Sequence, residues 1–321
     1  MFDDPSDAPL VVDFLLVPDF SLIAFAAAME PLRLANRVAG RELYRWRITS
    51  LDGQAVVASG GVPVAVDHAT DAGGRIRVLI LCSGLDVQRQ IDDRLLGLLR
   101  RVSRQGAMVG AVCTGAYALA RAGLLNNRRS TIHWENLGGF SEAFPEIETS
   151  ADLFEIDRDR FTCSGGTAAL DMMLHLIGRQ HGPKLATDVS EQVIHDRIRE
   201  PHSHQRMELR TRLGVSHPKL LAVIADMEDN IEEPLSQTEL ADMAALSTRQ
   251  LERLFRKYLG STPTRYYLNL RLQRAQQLLS QTSMSILSVA LACGFVSASH
   301  FSKCYRERYG RTPRTERAAQ A

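Results

Sequence analysis

The sequence predicts an α/β domain with a mostly parallel sheet, followed by an all-α domain of two helix-turn-helix motifs. Three observations predict it. Apolar, β-branched runs alternate with helically spaced stretches over roughly the first 190 residues, which is how strands read when helices cover both faces of a sheet. Residues 238–263 and 286–313 are two versions of one pattern: with Ser247 set on Ser297, Leu251 falls on Phe301, Phe255 on Tyr305, Gly260 on Gly310 and Pro263 on Pro313. Upstream, Leu240-Ala241 falls on Val289-Ala290 once Phe295 is admitted as one extra residue. Charge is the third observation. From Ala245 onward there are 13 Lys/Arg against 3 Asp/Glu, while the preceding 244 residues hold 25 against 34, so the formal net charge of +1 conceals a strongly basic C-terminal end.

The elements follow in order. Residues 11–17 form an apolar run that reads as a buried strand, and residues 20–37 follow with helical spacing. Residues 44–50 alternate like a strand; residues 55–58 and 62–66 then flank Ser59-Gly60-Gly61, a hairpin signal. Residues 77–82 are a second buried strand, and residues 92–104 an amphipathic helix stopping at Gly106. Residues 108–112 are a strand, 114–122 a helix, and Cys163-Ser164-Gly165-Gly166-Thr167 leads into a last helix over 168–177. This first domain spans residues 10–193, and residues 194–215, rich in Arg and His, read as a linker. His202 and His204 are spaced i, i+2 without a carboxylate or Cys partner, which fits exposed linker residues better than a metal pair.

Composition and apolar run lengths exclude several classes. The longest apolar runs, such as 25–29 and 78–82, are too short to span a bilayer, and the start of the chain lacks a basic-then-apolar signal pattern, so a cytoplasmic protein without membrane contact is expected. Five cysteines without a CxxC or a Cys/His pair at metal spacing predict no disulfide framework, no metal and no cofactor. Cys82, Cys163, Cys293 and Cys304 read as packed thiols.

Cys113 differs, because Gly110-Ala111-Val112-Cys113-Thr114-Gly115-Ala116 runs from a small-residue strand end straight into a helix. That is the form of a nucleophile elbow, and the following helix start is expected to lower the thiol pKa. Thr131-Ile132-His133-Trp134 downstream offers an imidazole that folding brings near the thiol. With GAVCTGAYALARAGLL, STIHW and FTCSGGTAALDMML, residues 10–193 resemble the class I glutamine amidotransferase-like fold in its ThiJ/PfpI branch. The resemblance implies a flavodoxin-like α/β sandwich and, in hydrolytic members, a Cys acting with a His and an acid. Cys113 and His133 are therefore the candidate catalytic pair of an alternative Cys-dependent hydrolase or deglycase. Two departures favour a structural or pocket-lining Cys113: Thr114 stands where the PfpI-type peptidases carry His, and Ser21 follows Phe20 where they carry Glu.

The second domain spans residues 216–317. Residues 219–231 place Leu220, Val223, Ile224, Met227 and Ile231 on one helical face, ending at Glu232-Glu233-Pro234. Residues 237–244 lead the first motif. Its second helix, 248–259, is expected to bury Leu251, Leu254, Phe255 and Tyr258, leaving Thr248, Arg249, Glu252, Arg253 and Arg256 outward. Pro263 starts a connecting helix through Leu279; in the second motif Ala298, Ser299, His300, Ser302 and Lys303 face out while Phe301 and Tyr305 face in. A short helix, a tight turn and a longer helix with a serine N-cap is the shape that lays a helix in the DNA major groove.

LSTRQLERLF, ACGFVS and HFSKCYR resemble the AraC/XylS family of bacterial transcription regulators over the last hundred residues. By that resemblance the base-reading positions are Arg249, Glu252 and Arg253 in the first motif and Ser299, His300 and Lys303 in the second. The chemistry agrees: Arg pairs bidentately with guanine O6/N7 and Glu accepts from cytosine N4. Arg256, Lys257 and Arg306 are expected on phosphates.

An amidotransferase-like domain joined to an AraC-type module resembles the GlxA-type regulators. MEPLRLAN, LYRWRITSLDG and RYYLNLRLQRAQQLLSQT resemble the activators of betaine, carnitine and arginine catabolism within that group. The resemblance implies a homodimer that binds double-stranded DNA, works with RNA polymerase and senses a small nitrogenous effector. Aromatic faces and a carboxylate suit a cation, which makes Trp46, Trp134 and Glu30, with Cys113 and His133, the candidate ligand-binding residues. A DNA-binding protein whose first domain only dimerises is the third reading.

Overall fold

The computed structural model describes residues 9–72, 74–84 and 86–318, and the chain divides into a unit running to Gln205 and a unit starting at Arg206. Residues 1–8, on which the reading of the chain's start partly rests, lie outside the described residues.

The first unit begins with β1 (Leu10–Leu16), α1 (Leu22–Ala39), β2 (Tyr44–Ser50), a hairpin of β3 (Val56–Val57) and β4 (Pro63–Val64), and β5 (His68–Ala69). It continues with β6 (Val78–Cys82), α2 (Asp93–Arg104), β7 (Met108–Val112), α3 (Ala116–Arg121), β8 (Arg129–Thr131), α4 (Trp134–Ala143) and β9 (Glu148–Ser150). β10 (Phe154–Asp157), β11 (Arg160–Cys163), α5 (Ala168–His181) and α6 (Pro183–Gln192) complete it. The sheet order is β10-β11-β7-β6-β1-β2-β5, parallel except where β10 meets β11. Alternation along β1 explains the two layers. Val12, Phe14 and Leu16 face a core shared with α1 and α5, whereas Leu15 joins Leu79, Leu81, Val109 and the buried leucines of α2 on the other side. β8 and β9 form a separate parallel pair.

The stretch expected as a linker divides between the units. Asp171, fully buried on α5, accepts from the Arg199 backbone N–H at 2.7 Å, from Arg199 Nε and Nη2 at 2.9 and 2.6 Å, and lies 2.9 Å from His195 Nε2. Gln205 Nε2 donates to Thr131 Oγ1, Ile132 O and Asp152 O at 2.9 to 3.0 Å. His202 Nδ1 sits 2.6 Å from the Asp152 carboxylate, a partner fifty residues away in sequence. Residues 194–205 are thus held on the first unit by pairings that no local pattern announces.

The second unit is helical: α7 (Leu209–Leu213), α8 (Pro218–Asp229), α9 (Gln237–Met243), α10 (Thr248–Leu259), α11 (Pro263–Gln281), α12 (Ile286–Ala292), α13 (Ala298–Tyr309) and α14 (Pro313–Ala318). Two apolar cores divide it. Leu220, Leu240, Leu251, Phe255 and Tyr267 form one, and Leu272, Leu278, Val289, Phe295, Phe301 and Tyr305 the other, so α11 contributes to both. The expectation for α10 needs correcting at its end: Leu251 and Phe255 are fully buried, but Leu254 is half-buried and Tyr258 is 38% exposed. Leu251 and Phe255 stand four residues apart on one line, and positions three and seven residues on from Leu251 drift to the edge of that stripe.

Candidate nucleic-acid interface and elbow pocket

In the second unit, sequence chemistry fixes where α10 and α13 start and stop. Ser247 caps α10 with a capping box: its hydroxyl accepts from Gln250 N–H at 3.2 Å, and Gln250 Oε1 accepts from Ser247 N–H at 2.8 Å. Ser297 caps α13 by accepting from His300 N–H at 3.4 Å. Gly260 and Gly310 close the two helices at φ +61° and +72°, where a side chain would be strained. Arg249, Arg253 and Arg256 on α10, with Ser299, Lys303 and Arg306 on α13, are exposed. The five cations among them make no ion pair among the described residues. Unpaired guanidinium groups on the open face of a capped helix match phosphates and guanine edges.

Two predicted readers are already engaged within the unit. Glu252 is half-buried and accepts from Gln237 Nε2 at 3.2 Å, so α9 orients its carboxylate. His300 lies edge-on to Phe295 at 5.8 Å between ring centres, with Nε2 3.3 Å from the Cys304 sulfur. Lys257 Nζ sits 4.8 Å from the centre of the Tyr258 ring.

In the first unit, β7 ends at Val112, and Cys113 directly after it holds φ +62°, the left-handed region that is uncommon for a non-glycine residue. What holds it there is visible. Thr114 donates to the Gly84 carbonyl at 2.5 Å and pairs with Ser83 Oγ at 2.8 Å, tying the elbow to the end of β6. Gly165 packs so closely that a Cβ there would lie 2.8 Å from Cys113 Cα and Cβ. Ser21, at the position of the peptidase acid, caps α1 instead by accepting from Ala24 N–H at 3.4 Å.

The thiol differs from expectation in its chemistry. Burial pushes the Cys113 thiol up to about 11, outweighing the N–H of Thr114, which favours the thiolate, and the Glu135 carboxylate raises it further. The lowered pKa expected of a helix start is not found, because the desolvation cost of the thiolate dominates. His133 caps α4: its Nδ1 accepts from Glu135 N–H at 3.4 Å and lies 3.7 Å from the Glu135 carboxylate, while its backbone N–H donates to the Cys113 carbonyl at 3.3 Å. No hydrogen bond joins the Cys113 sulfur to the His133 ring among the described residues. Burial also lowers the His133 pKa and favours the neutral ring. Trp134 lies beside it, ring centres 5.7 Å apart.

The predicted ligand cage is not assembled at one place. Cys113 and His133 meet where β7 and β8 end, with Trp134 beside His133, but Trp46 pairs with Val12 and lies four residues, about 13 Å, back from the end of β2. Glu30 stands eight residues, about 12 Å, into α1 and forms an exposed ion pair with Arg33 at 2.6 Å. Sequence reasoning missed Glu135, the carboxylate beside His133; its place directly after Trp134 was the available signal.

A helix-turn-helix domain model matches residues 240–319, and the DJ-1/PfpI family model matches residues 13–179. The HTH-type transcriptional regulator GbdR of Pseudomonas aeruginosa is 53% identical over 312 residues, covering 97% of this chain and 85% of that protein. The HTH-type transcriptional regulator CdhR of the same species is 47% identical over 305 residues, covering 95% of this chain and 90% of that one. The crystal structure of an AraC family transcriptional regulator from Pseudomonas putida matches with a TM-score of 0.53 at 31% identity, covering 58% of this chain and all of its own. The chain belongs to the AraC-family transcriptional regulators. Its first unit is a DJ-1/PfpI domain, and its helix-turn-helix module makes this AraC-family regulator a binder of double-stranded DNA. Among the described residues, no helix of the regulator is long and apolar enough to cross a membrane.

Proposed function

We infer that the first unit is a sensor rather than an enzyme, and that a small nitrogenous metabolite of the betaine, carnitine or amino-acid type binds at the elbow. One observation carries this reading: residues 194–205, the chain leading to the second unit, are anchored on both segments that flank Cys113. Arg199 grips Asp171 and Thr167, just after the glycine that touches the elbow, and Gln205 grips Thr131 and Ile132, just before His133. A ligand that shifts His133 or Gly165 therefore acts on the hydrogen bonds that hold the connector. The face of Trp134 and the Glu135 carboxylate suit a cationic nitrogen, with Cys113 and His133 as neutral walls. A protonated thiol without a base at hydrogen-bonding distance supports a non-catalytic Cys113.

On this reading the regulator is a cytoplasmic homodimer that acts with RNA polymerase to activate genes of amine or amino-acid catabolism. Thermal unfolding of the purified protein against betaines, carnitine, choline and amino acids at millimolar concentration tests it, because a ligand that binds only the native state raises the midpoint. A shift abolished by Trp134→Ala places the ligand at the elbow. A shift unchanged by Trp134→Ala, or turnover of a hit that depends on Cys113, refutes the assignment.

A further inference from the structure

The two recognition helices belong to separate apolar cores, so something other than a shared core sets their separation. On α11, Tyr267 and Arg271 stand four residues apart; Tyr267 grips the loop that leads into the first motif, and Arg271 the turn inside the second. The Tyr267 hydroxyl donates to the Asn230 carbonyl and accepts from Leu235 N–H, bridging the loop between α8 and α9. Arg271 donates from Nε to the Cys293 carbonyl at 2.8 Å and from Nη2 to the Gly294 carbonyl at 2.7 Å, and its guanidinium lies 4.3 Å from the centre of the Phe295 ring. Those three residues form the turn that feeds α13.

The two gripped loops also touch. A Cβ on Gly294 would lie 2.5 and 2.6 Å from the Pro234 ring and 2.8 Å from the Ile231 carbonyl, so the turn of the second motif packs directly on the loop that leads into the first. The internal repeat supplies a control. Ala245 occupies the corresponding place in the first turn, also left-handed at φ +49°, yet it carries a side chain and is exposed. The left-handed turn alone therefore does not demand glycine; the contact with Pro234 and Ile231 does.

We propose that Arg271, with Gly294 seated on Pro234, is a clasp between the two motifs that fixes how far apart the two recognition helices are presented and so the DNA spacing they read. Arg271 is a positioning residue: its side chain is spent on two carbonyls and a ring instead of on DNA. One added base pair moves a half-site by ~3.4 Å and turns it by ~35° about the duplex axis, which a fixed pair of helices does not follow.

The test uses full-length protein and a duplex selected with it from a randomised pool, with the half-sites of the two motifs assigned by hydroxyl-radical footprinting. Affinity is measured at the selected spacing, with one base pair inserted between the half-sites, and with the second half-site scrambled. Arg271→Ala is expected to bind the selected duplex about tenfold more weakly, through lost preorganisation, while its penalty for the inserted base pair shrinks at least fivefold relative to wild type. It still discriminates against the scrambled half-site. Pro234→Ala is expected to shift the spacing penalty in the same direction with a smaller loss of affinity. A spacing penalty equal to that of wild type overturns the proposal, whether or not overall affinity falls. Loss of discrimination against the scrambled half-site at every spacing also overturns it, since Arg271 then merely maintains the fold of the second motif.

Discussion

Alkylation of Cys113 distinguishes a pocket wall from a nucleophile, because the structure dictates its pH dependence. With the thiol at about 11, roughly one molecule in 3000 carries a thiolate at pH 7.5, against roughly one in 10 for a free cysteine near 8.5. The thiolate is the reacting species, so iodoacetamide should modify Cys113 roughly 300-fold more slowly than a free thiol at that pH. The rate should climb about tenfold per pH unit without levelling off below about pH 10. Cys82, Cys163, Cys293 and Cys304 are buried, so mass spectrometry of the Cys113 peptide after timed quenching isolates the signal. His133→Ala should leave the rate–pH curve in place, since the imidazole makes no hydrogen bond to the sulfur. A plateau with a midpoint below about 8, or a curve displaced by His133→Ala, would mean an activated Cys–His pair and refute the reasoning.

Other consequences follow from the same contacts. Arg253→Ala should cost about 1–3 kcal/mol against one base pair and relax selectivity there, measured by titrating single-base-pair variants of a selected duplex; equal weakening on every sequence would make Arg253 a phosphate contact. Asp171→Asn should destabilise the first unit by about 3 kcal/mol, the low end for breaking a buried pair because Arg199 retains some solvent, and chemical denaturation reads this directly. Burial lowers the pKa of His133, His175 and His181 in the folded chain, so between pH 6.5 and the carboxylate range the unfolded chain binds more protons than the native one. The stability they contribute is fully present above about pH 6.5 and is lost as pH falls through that window, which thermal melts at pH 7.5 and 5.5 should show as a lower midpoint at the lower pH.

What was legible in the sequence is what local chemistry writes there. A serine before an apolar stripe and a glycine after it bound α10 and α13, and the structure starts and stops those helices at Ser247, Gly260, Ser297 and Gly310. The buried strand 108–112 declared itself by composition and strand 44–50 by alternation. Three-residue β8 and β9 hold too few side chains to show a period, and α6 escaped although Gly182-Pro183 is a fair helix-start signal. The anchoring of residues 194–205 rests on partners 24 to 74 positions away, which no window of sequence contains. The same limit explains the thiol: a motif announces the elbow, but the desolvation that sets its pKa is a property of the packed surroundings.

A strained elbow costs on the order of 1–3 kcal/mol, and on the proposed sensor reading that strain serves a use other than nucleophilic attack. Three local features bear on it together. Ser21 spends its hydroxyl capping α1, and Thr114 spends its own on Gly84, so neither supplies a carboxylate or an imidazole to the thiol. Gly165 must stay free of a side chain to fit against Cys113, which makes the start of α5 sensitive to the position of the elbow. Asp171, one turn further along α5, carries Arg199 and His195 of the connector. On the proposed sensor reading, the geometry that elsewhere aims a nucleophile here couples a pocket wall, through Gly165 and Asp171, to the segment leading toward the DNA-binding unit. That coupling sets a condition on the effector: it must alter the Cys113–Gly165 contact or the His133 cap, because a ligand filling space beside Trp134 without touching either has no differential interaction with which to shift the regulator between states.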